Sequence, residues 1–427
     1  MRLIYTAVLY LYLPVALVRL FLQGLRYPAY RHSWAERFGA VPGQRPRGRL
    51  LWLHAVSVGE VRAAVPLVRL LQSRLPDHHI HITTVTPTGA EIAAGLAGPG
   101  ISCSYFPYDL PPVVSRFLNR LSPAALLVME SEIWPNLYLA CAARGIKVIL
   151  LNSRISDRSL AGYRRLGSFM TRIMGCVTAA GARAQADAAR LVTLGLDAAK
   201  VRVTGNLKFD LEMPAGLEQQ AERLRRVTFA GRPVWLAAST HAGEESLLLE
   251  AHGRVLSRLP DCLLVLVPRH PQRFEQVAAL AGSTAMPTAR YSLTGDSPVD
   301  NGTRVFLLDT MGMLLPYYAA VDVAFVGGSL VPGIGGHNML EPLSLGTATL
   351  SGPFTGNFRE ITQLLCDNDA LLIVENTGQL ADRVCELIAD PGRRRQLGSA
   401  GKQIVSDNRG AASRSVDLVV AHLEHKV

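Results

Sequence analysis

Residues Val323 to Pro353 read VAFVGGSLVPGIGGHNMLEPLSLGTATLSGP. The apolar run Val323 to Val326 predicts a buried parallel strand. A loop with Gly327, Gly328, Gly333, Gly335 and Gly336 follows, then a helix opening at HNMLEPLSLG and a strand at Ala348 to Leu350. Glycines ahead of a helix let the backbone approach a ligand closely. The free N–H groups and dipole of a first helical turn favour a phosphate. Asn338 and Glu341 fall on one face of that turn, which offers Glu341 to a ribose and Asn338 to a phosphate. The competing reading is an ordinary strand–helix junction capped by Asn338, and glycines alone do not separate the two.

The chain has 427 residues, enough for two domains of ordinary size. Its six cysteines (Cys103, Cys141, Cys176, Cys262, Cys366, Cys385) include no close-spaced pair, so they read as reduced thiols rather than zinc ligands or a disulfide framework. A net charge of +10 implies an acidic partner. Nucleic acid is not indicated: there is no zinc-finger spacing, no basic helix with heptads and no aromatic RNA-binding signature. A lipid surface is. Leu3 to Leu22, LIYTAVLYLYLPVALVRLFL, is near the length of about 20 residues that crosses a bilayer, with Pro14 as a possible kink and Arg19 placed to snorkel. No small-residue cleavage site is evident, which favours a retained anchor. Arg26, Arg31, Arg37, Arg45, Arg47 and Arg49 follow, offset by Glu36, and place the rest of the chain in the cytoplasm. A helix lying in the interface is the alternative. In either case the arginines are expected to face anionic headgroups, each worth on the order of 1 kcal/mol there.

From Arg49 onward, apolar strands alternate with helices: LLWLHA, HIHITTV, ISCSYFP, AALLVME, IKVILLN, GCVTAAG and VRVTG. After a charged, helix-like connector at Leu217 to Arg226 come PVWLAAST, DCLLVLVP, RVFLL, VDVAFVG and ATLSG. This rhythm predicts two doubly wound α/β domains facing across a cleft, with ligands at the carboxyl ends of the strands. Ala281 to Thr303 reads as loop.

In the first half, three strand ends carry chemistry: Glu60 of VSVGE, Glu130 and Glu132 of MESE, and Lys208 of NLKFD. Singly, each has a plain structural explanation; together they make an active site. In the second half, Arg269, His270 and Arg273 of VPRHPQRF suit phosphate recognition, and Asp309, Thr310 and Gly312 can edge a nucleobase. STHAGEE forms another loop leading into a helix. There is no G-x-x-x-x-G-K-[ST] and no G-x-G-x-x-G after the first strand of either half, against a P-loop enzyme or a dehydrogenase. The one D-x-D, at Asp367 and Asp369, reads as a solvated turn, so no metal and no cofactor are expected. His79 and His81 read as packing or edge residues.

WLHAVSVGE, TTVTPTGAE, YFPYDLP, MESEIWPNL, GNLKFD, STHAGEE, VPRHPQRF, DTMGML and FVGGSLV…GGHNMLEP, in this order and over nearly the whole chain, resemble the 3-deoxy-D-manno-octulosonic acid (Kdo) transferases of lipopolysaccharide inner-core synthesis. The resemblance implies a GT-B glycosyltransferase moving Kdo from CMP-Kdo to a lipid A precursor with inversion. By the same resemblance Glu60 is the general base, and Glu130 and Lys208 stabilise the transition state. Pro268, Arg269, Met311, Gly312, Met313, Asn338, Met339, Leu340 and Glu341 then contact CMP. Two departures are a longer loop before GGHN and Met339 where proline is common. The helix dipole argues that Glu60 is a weaker base than a buried carboxylate, in tension with its role.

The expected division is a membrane anchor at 1–25, a basic juxtamembrane segment at 26–48, an N-terminal acceptor-binding Rossmann-like domain at 49–210, a linker at 211–230 and a C-terminal CMP-sugar-binding Rossmann-like domain at 231–427. The expected location is the bacterial inner membrane, with the catalytic domains on its cytoplasmic face. Alternatives are a GT-B transferase using another nucleotide sugar, a sugar-nucleotide epimerase and a non-catalytic nucleotide-binding scaffold.

Overall fold

The computed structural model describes residues 1–42 and 48–424. Arg45 and Arg47 of the arginine cluster lie outside the described residues. The chain forms two compact units, 1–210 with 408–427, and 211–407.

The sheet of the first unit contains β1 (Arg49–His54), β2 (His78–Thr84), β3 (Ile101–Tyr105), β4 (Ala125–Met129), β5 (Lys147–Ser153), β6 (Val177–Ala182) and β7 (Val201–Val203). Their order is β3-β2-β1-β4-β5-β6-β7, and every pairing is parallel. Because helices cover both faces, the central strands are apolar throughout rather than alternating. The pleat still sorts their side chains: Leu50 and Trp52 enter one core cluster, Leu51 and Leu53 the other. Each such fully buried side chain contributes roughly 1.5–3 kcal/mol. Trp52 donates its indole N–H to Thr83 Oγ1 at 2.8 Å, so even the largest core residue has its polar atom satisfied. His79 and His81 bond the hydroxyls of Ser102 and Ser104 along β3, as packing residues do.

The second unit repeats the plan with β8 (Val234–Thr240), β9 (Leu263–Pro268), β10 (Thr288–Arg290), β11 (Val305–Leu307), β12 (Val323–Val326), β13 (Ala348–Ser351) and β14 (Leu372–Ile373), in the order β10-β11-β9-β8-β12-β13-β14. Here too Trp235 and Leu236 point into opposite cores. Each sheet is extended to both sides of its first strand, with a switch point between β1 and β4 and between β8 and β12. At such switch points two neighbouring loops leave in opposite directions and open a crevice.

Three expectations differ from what is seen. The connector is helical as expected, at Leu217–Arg223 and Leu224–Thr228, but it does not stand apart as a linker: Ala221, Leu224 and Phe229 are buried in the core of the second unit. The stretch read as loop from Ala281 supplies the edge strand β10. The last helix, Ala411–Glu424, belongs to the first unit, where Ala411, Ala412, Val416, Leu418 and Val419 join the cluster of Leu51 and Leu53. Its apolar stripe needs a partner, and the Val58–Arg74 helix provides one.

Arg2–Arg26 is one helix, with Pro14 inside it. Residues 2–25 are long and apolar enough to cross a membrane. Among the large exposed apolar residues, Ile4, Val8, Leu11, Val15, Val18, Leu22 and Leu25 recur every three or four positions along one line, and Leu3, Tyr10, Tyr12 and Phe21 widen it on both sides. The opposite side of its first turns is tied to the first unit. Tyr5 donates to Asp109 Oδ2 at 2.9 Å, and Arg2 Nε and Thr6 Oγ1 both reach Asn136 Oδ1, at 3.1 and 3.2 Å. Arg37, expected at headgroups, is instead buried: it donates to Val85 O at 2.9 Å and stacks 4.1 Å over the Tyr105 ring. A guanidinium has five donors, and here backbone and an aromatic face take it up before any lipid does.

Candidate active site

In the first unit the switch point lies between β1 and β4, and Glu60 and Glu130 follow those two strands. Ser57 caps the helix Val58–Arg74, and Glu60, three residues on, reaches back to the Ser57 hydroxyl and to the N–H of Val56, the residue before the cap. The Glu60 N–H donates to Ser57 Oγ at 3.4 Å, Ser57 Oγ donates to Glu60 Oε1 at 3.0 Å, and Val56 N–H donates to Glu60 Oε2 at 2.8 Å. One carboxylate oxygen is therefore anchored on backbone, while the other holds only a hydroxyl that can rotate away. Burial raises the Glu60 pKa to about 7, helped by the charges of Glu130 and Glu132 and opposed by the Val56 and Ser57 hydrogen bonds. The helix dipole does not win: desolvation and two neighbouring carboxylates make Glu60 a stronger base than the sequence suggested.

Glu130 adopts a left-handed backbone, φ 58°, as does Asn152 at φ 54° near the end of β5. Such conformations in non-glycine residues persist only where the surroundings enforce them, and they gather at functional sites. The Glu130 carboxylate pairs with Arg183, whose Nε donates to Asn152 O at 3.1 Å. Asn152 Oδ1 in turn accepts from Leu207 N–H at 3.0 Å and holds the turn that carries Lys208. Glu132 is also pushed up, first by burial and then by Glu130. The carboxyl ends of β1, β4, β5, β6 and β7 thus supply Glu60, Glu130 and Glu132, Asn152, Arg183 and the turn of Lys208. Sequence reasoning missed Arg183 and Asn152. Asn152 at the end of β5 (LLNS) and Arg183 directly after β6 (GARA) are polar residues at strand ends, the same signal that exposed Glu60 and Glu130.

In the second unit the glycine-rich loop has a different use from the one expected. Glu244 is fully buried, and its carboxylate accepts four backbone N–H groups: Gly328 at 2.7 Å, Ser329 and Leu330 at 2.9 Å, and His241 at 3.0 Å. The anion cradled by Gly328 to Leu330 is the protein's own carboxylate. Glu245, also buried, forms a two-bond ion pair with Arg273, which removes Arg273 from the phosphate candidates. Asp309 accepts from Ser292 N–H, Ser292 Oγ and Arg290 Nε, so it braces β10 rather than edging a base.

The remaining candidates stay at the carboxyl ends. Arg269 N–H donates to Thr240 O at 3.0 Å just after Pro268 ends β9. Met311 is exposed beside Gly312, whose φ is 85°. The helix that was expected to open at His337 is short, Leu340–Ser344. Asn338 bonds within its own turn, donating to Glu341 Oε1 at 3.0 Å and accepting from Leu340 N–H at 3.2 Å. Met339 and Leu340 are fully buried and act as its apolar support. Around this face stand His241, His270 and His337, which the sequence reading did not group.

Among the described residues, no group of three or more His, Cys, Asp or Glu is arranged to hold a metal ion. A cavity of about 250 Å³ lined by Arg225, Asp322, Thr347 and Arg394 lies at the amino ends of β12 and β13, away from these loops. Asp322 there is consumed by Arg225, Arg394 and Val234 N–H, as a structural tie.

A family model described as 3-deoxy-D-manno-octulosonic-acid transferase (kdotransferase) matches residues 32–211. The 3-deoxy-D-manno-octulosonic acid transferase of Haemophilus influenzae is 39% identical over 428 residues, covering the whole of both chains. That of Bordetella pertussis is 35% identical over 394 residues, 90% of each chain. Among solved structures, a putative UDP-N-acetylglucosamine 2-epimerase from Listeria monocytogenes superposes with a TM-score of 0.56 at 14% identity, over 89% of this chain and 98% of that one. That likeness concerns the fold alone, the two Rossmann-like domains of the GT-B architecture.

Proposed function

The chain belongs to the 3-deoxy-D-manno-octulosonic acid (Kdo) transferase family, glycosyltransferases of lipopolysaccharide synthesis, and from that premise we propose that it moves Kdo from CMP-Kdo to a lipid A precursor in one inverting displacement with Glu60 as base. The observation that carries this reading is the Glu60 carboxyl, poised at about 7 with one oxygen pinned by Val56 and the other exchangeable. A base with a pKa near the working pH is ionised often enough to act and basic enough to accept a hydroxyl proton. As the acceptor oxygen forms its bond to the anomeric carbon, its proton passes to Glu60 Oε1 and the bond to CMP breaks. Glu130, held by Arg183, places negative charge where the sugar develops positive charge. Lys208, on the turn held by Asn152, supplies positive charge for the anionic donor. Pro268, Arg269, Met311, Gly312, Met313, Asn338, Met339, Leu340 and Glu341 form the nucleotide side. Arg269 and the polar turn of Asn338 and Glu341 meet the phosphate and ribose, and the exposed Met311 lies against the base.

In this reading the membrane contact is monotopic, on the cytoplasmic side of the inner membrane. The N-terminal helix spans about 37 Å at 1.5 Å per residue. Its first turn bonds Asp109 and Asn136 of the same unit into which its last turn leads, so both ends stay on one side. The stripe from Ile4 to Leu25 then rests in the acyl boundary. In inverted vesicles, Leu3→Cys is expected to react with a membrane-impermeant maleimide added from the cytoplasmic side, over the background of the native cysteines. Reaction only from the periplasmic side would mean that the helix spans the bilayer.

The reaction itself is tested by mass spectrometry of a lipid A precursor incubated with purified protein and CMP-Kdo. The expected product carries the added mass of Kdo. No added mass with folded protein, and transfer from another nucleotide sugar instead, would replace the donor.

A further inference from the structure

Three histidines stand at the carboxyl ends of three adjacent strands of the second unit: His241 after β8, His270 after β9 and His337 in the loop after β12. His241 and His337 are stacked, with centroids 4.9 Å apart and planes 9° from parallel, and their Nε2 atoms share a hydrogen bond of 2.7 Å. His270 meets the His241 ring edge-on at 5.2 Å. The loop is shaped for this: a Cβ at Gly328 would sit 2.8 Å from His337 Cδ2, so only glycine leaves room for the ring. The well-buried histidines differ. His54 and His81 lie on sheet strands and bond hydroxyls there, and His252, on the helix Glu244–Leu256, accepts from Trp235 Nε1 and bonds Arg304 O. His241 and His337 are half-exposed, and His270 is exposed.

The geometry points to a phosphate-binding, proton-taking site built from His241, His337 and His270; it rests on the donor reading above and extends it. An Nε2–H···Nε2 bond between two neutral imidazoles leaves one Nδ1 protonated and the other bare. One added proton turns the pair into a shared-proton cation with a hydrogen on both Nδ1 atoms, without breaking the Nε2 bond. A phosphate monoester dianion, the form in which CMP leaves, is the ligand that draws in that proton. The charged neighbours set the resting state. Arg269 and His270 disfavour a proton on His241, and Arg269 and Arg273 disfavour one on His270. Glu244 and Glu245 favour a proton on His241, but the four N–H groups and Arg273 already engage these carboxylates. Partial desolvation, the largest cause at each, also disfavours a proton on His241 and on His270. The three rings are not arranged as metal donors.

The test is isothermal titration calorimetry of the full-length protein in detergent at pH 7.5, with CMP or cytidine, in two buffers of different ionisation enthalpy. Wild type is expected to take up on the order of one proton with CMP and none with cytidine. His337→Asn is expected to weaken CMP about tenfold, abolish the proton uptake and leave cytidine binding unchanged. CMP binding without uptake by wild type overturns the site while leaving the donor reading intact. Equal uptake with cytidine, or uptake unchanged in His337→Asn, also overturns it. Failure of the wild type to bind CMP removes the donor reading and this inference together.

Discussion

Glu60→Gln is expected to slow transfer by on the order of 10²–10⁴-fold while CMP affinity stays at the wild-type value. Glutamine keeps the shape of the cap, because its carbonyl oxygen can still accept the Val56 N–H and Ser57 still accepts from the backbone N–H of residue 60, so the helix Val58–Arg74 should retain its first turn. What is lost is the ability to accept a proton. The pH profile gives a second readout. With the Glu60 carboxyl raised to about 7, the base is protonated below that value, so kcat/KM should fall as pH drops through 7, and Glu60→Gln should lose that limb. A variant that transfers Kdo at the normal rate, or a wild-type profile flat from pH 5 to 8, would take Glu60 out of the mechanism.

Glu244→Ala is expected to destabilise the second unit by about 3 kcal/mol or more, since four buried N–H groups lose one shared acceptor and each unsatisfied donor costs roughly 1–3 kcal/mol. For a unit of this size, that lowers Tm by roughly 6–12 °C. Glu244→Gln should fall between the two, because its amide nitrogen faces backbone donors that the carboxylate accepted. Both variants should also weaken nucleotide binding, since the carboxylate sets the path of Gly328 to Leu330 and, through it, the position of His337. Differential scanning calorimetry checks the first effect and CMP titration the second. Thermal transitions equal to wild type in both variants would show that the loop holds its shape without the carboxylate.

The strand runs LLWLHA and VAFVGG were legible in the amino-acid string because a parallel strand covered on both faces must be apolar along its length. The alternation of such runs with helices gave the doubly wound class, and the polar residues at their ends gave Glu60 and Glu130. Composition and a local pattern suffice for these features, since each depends on neighbours a few residues away. The family motifs were legible for the same reason.

Other assignments depended on partners far along the chain. The loop of Gly327 to Leu330 reads as a phosphate cradle, yet Glu244, more than eighty residues earlier, already occupies it. Arg273 looks available until Glu245 takes it, and Arg37 looks like a headgroup ligand until Tyr105 and Val85 do. The base strength of Glu60 is set by burial and by Glu130 and Glu132, whose distance no spacing rule encodes. The pairing of His241 with His337 spans 96 positions. Sequence by itself determined the fold class, the family and which strand ends carry chemistry, because periodicity and motif are local. Only the tertiary structure decided which charges are spent on one another and which remain for a ligand, because that depends on which loops the sheet order brings together.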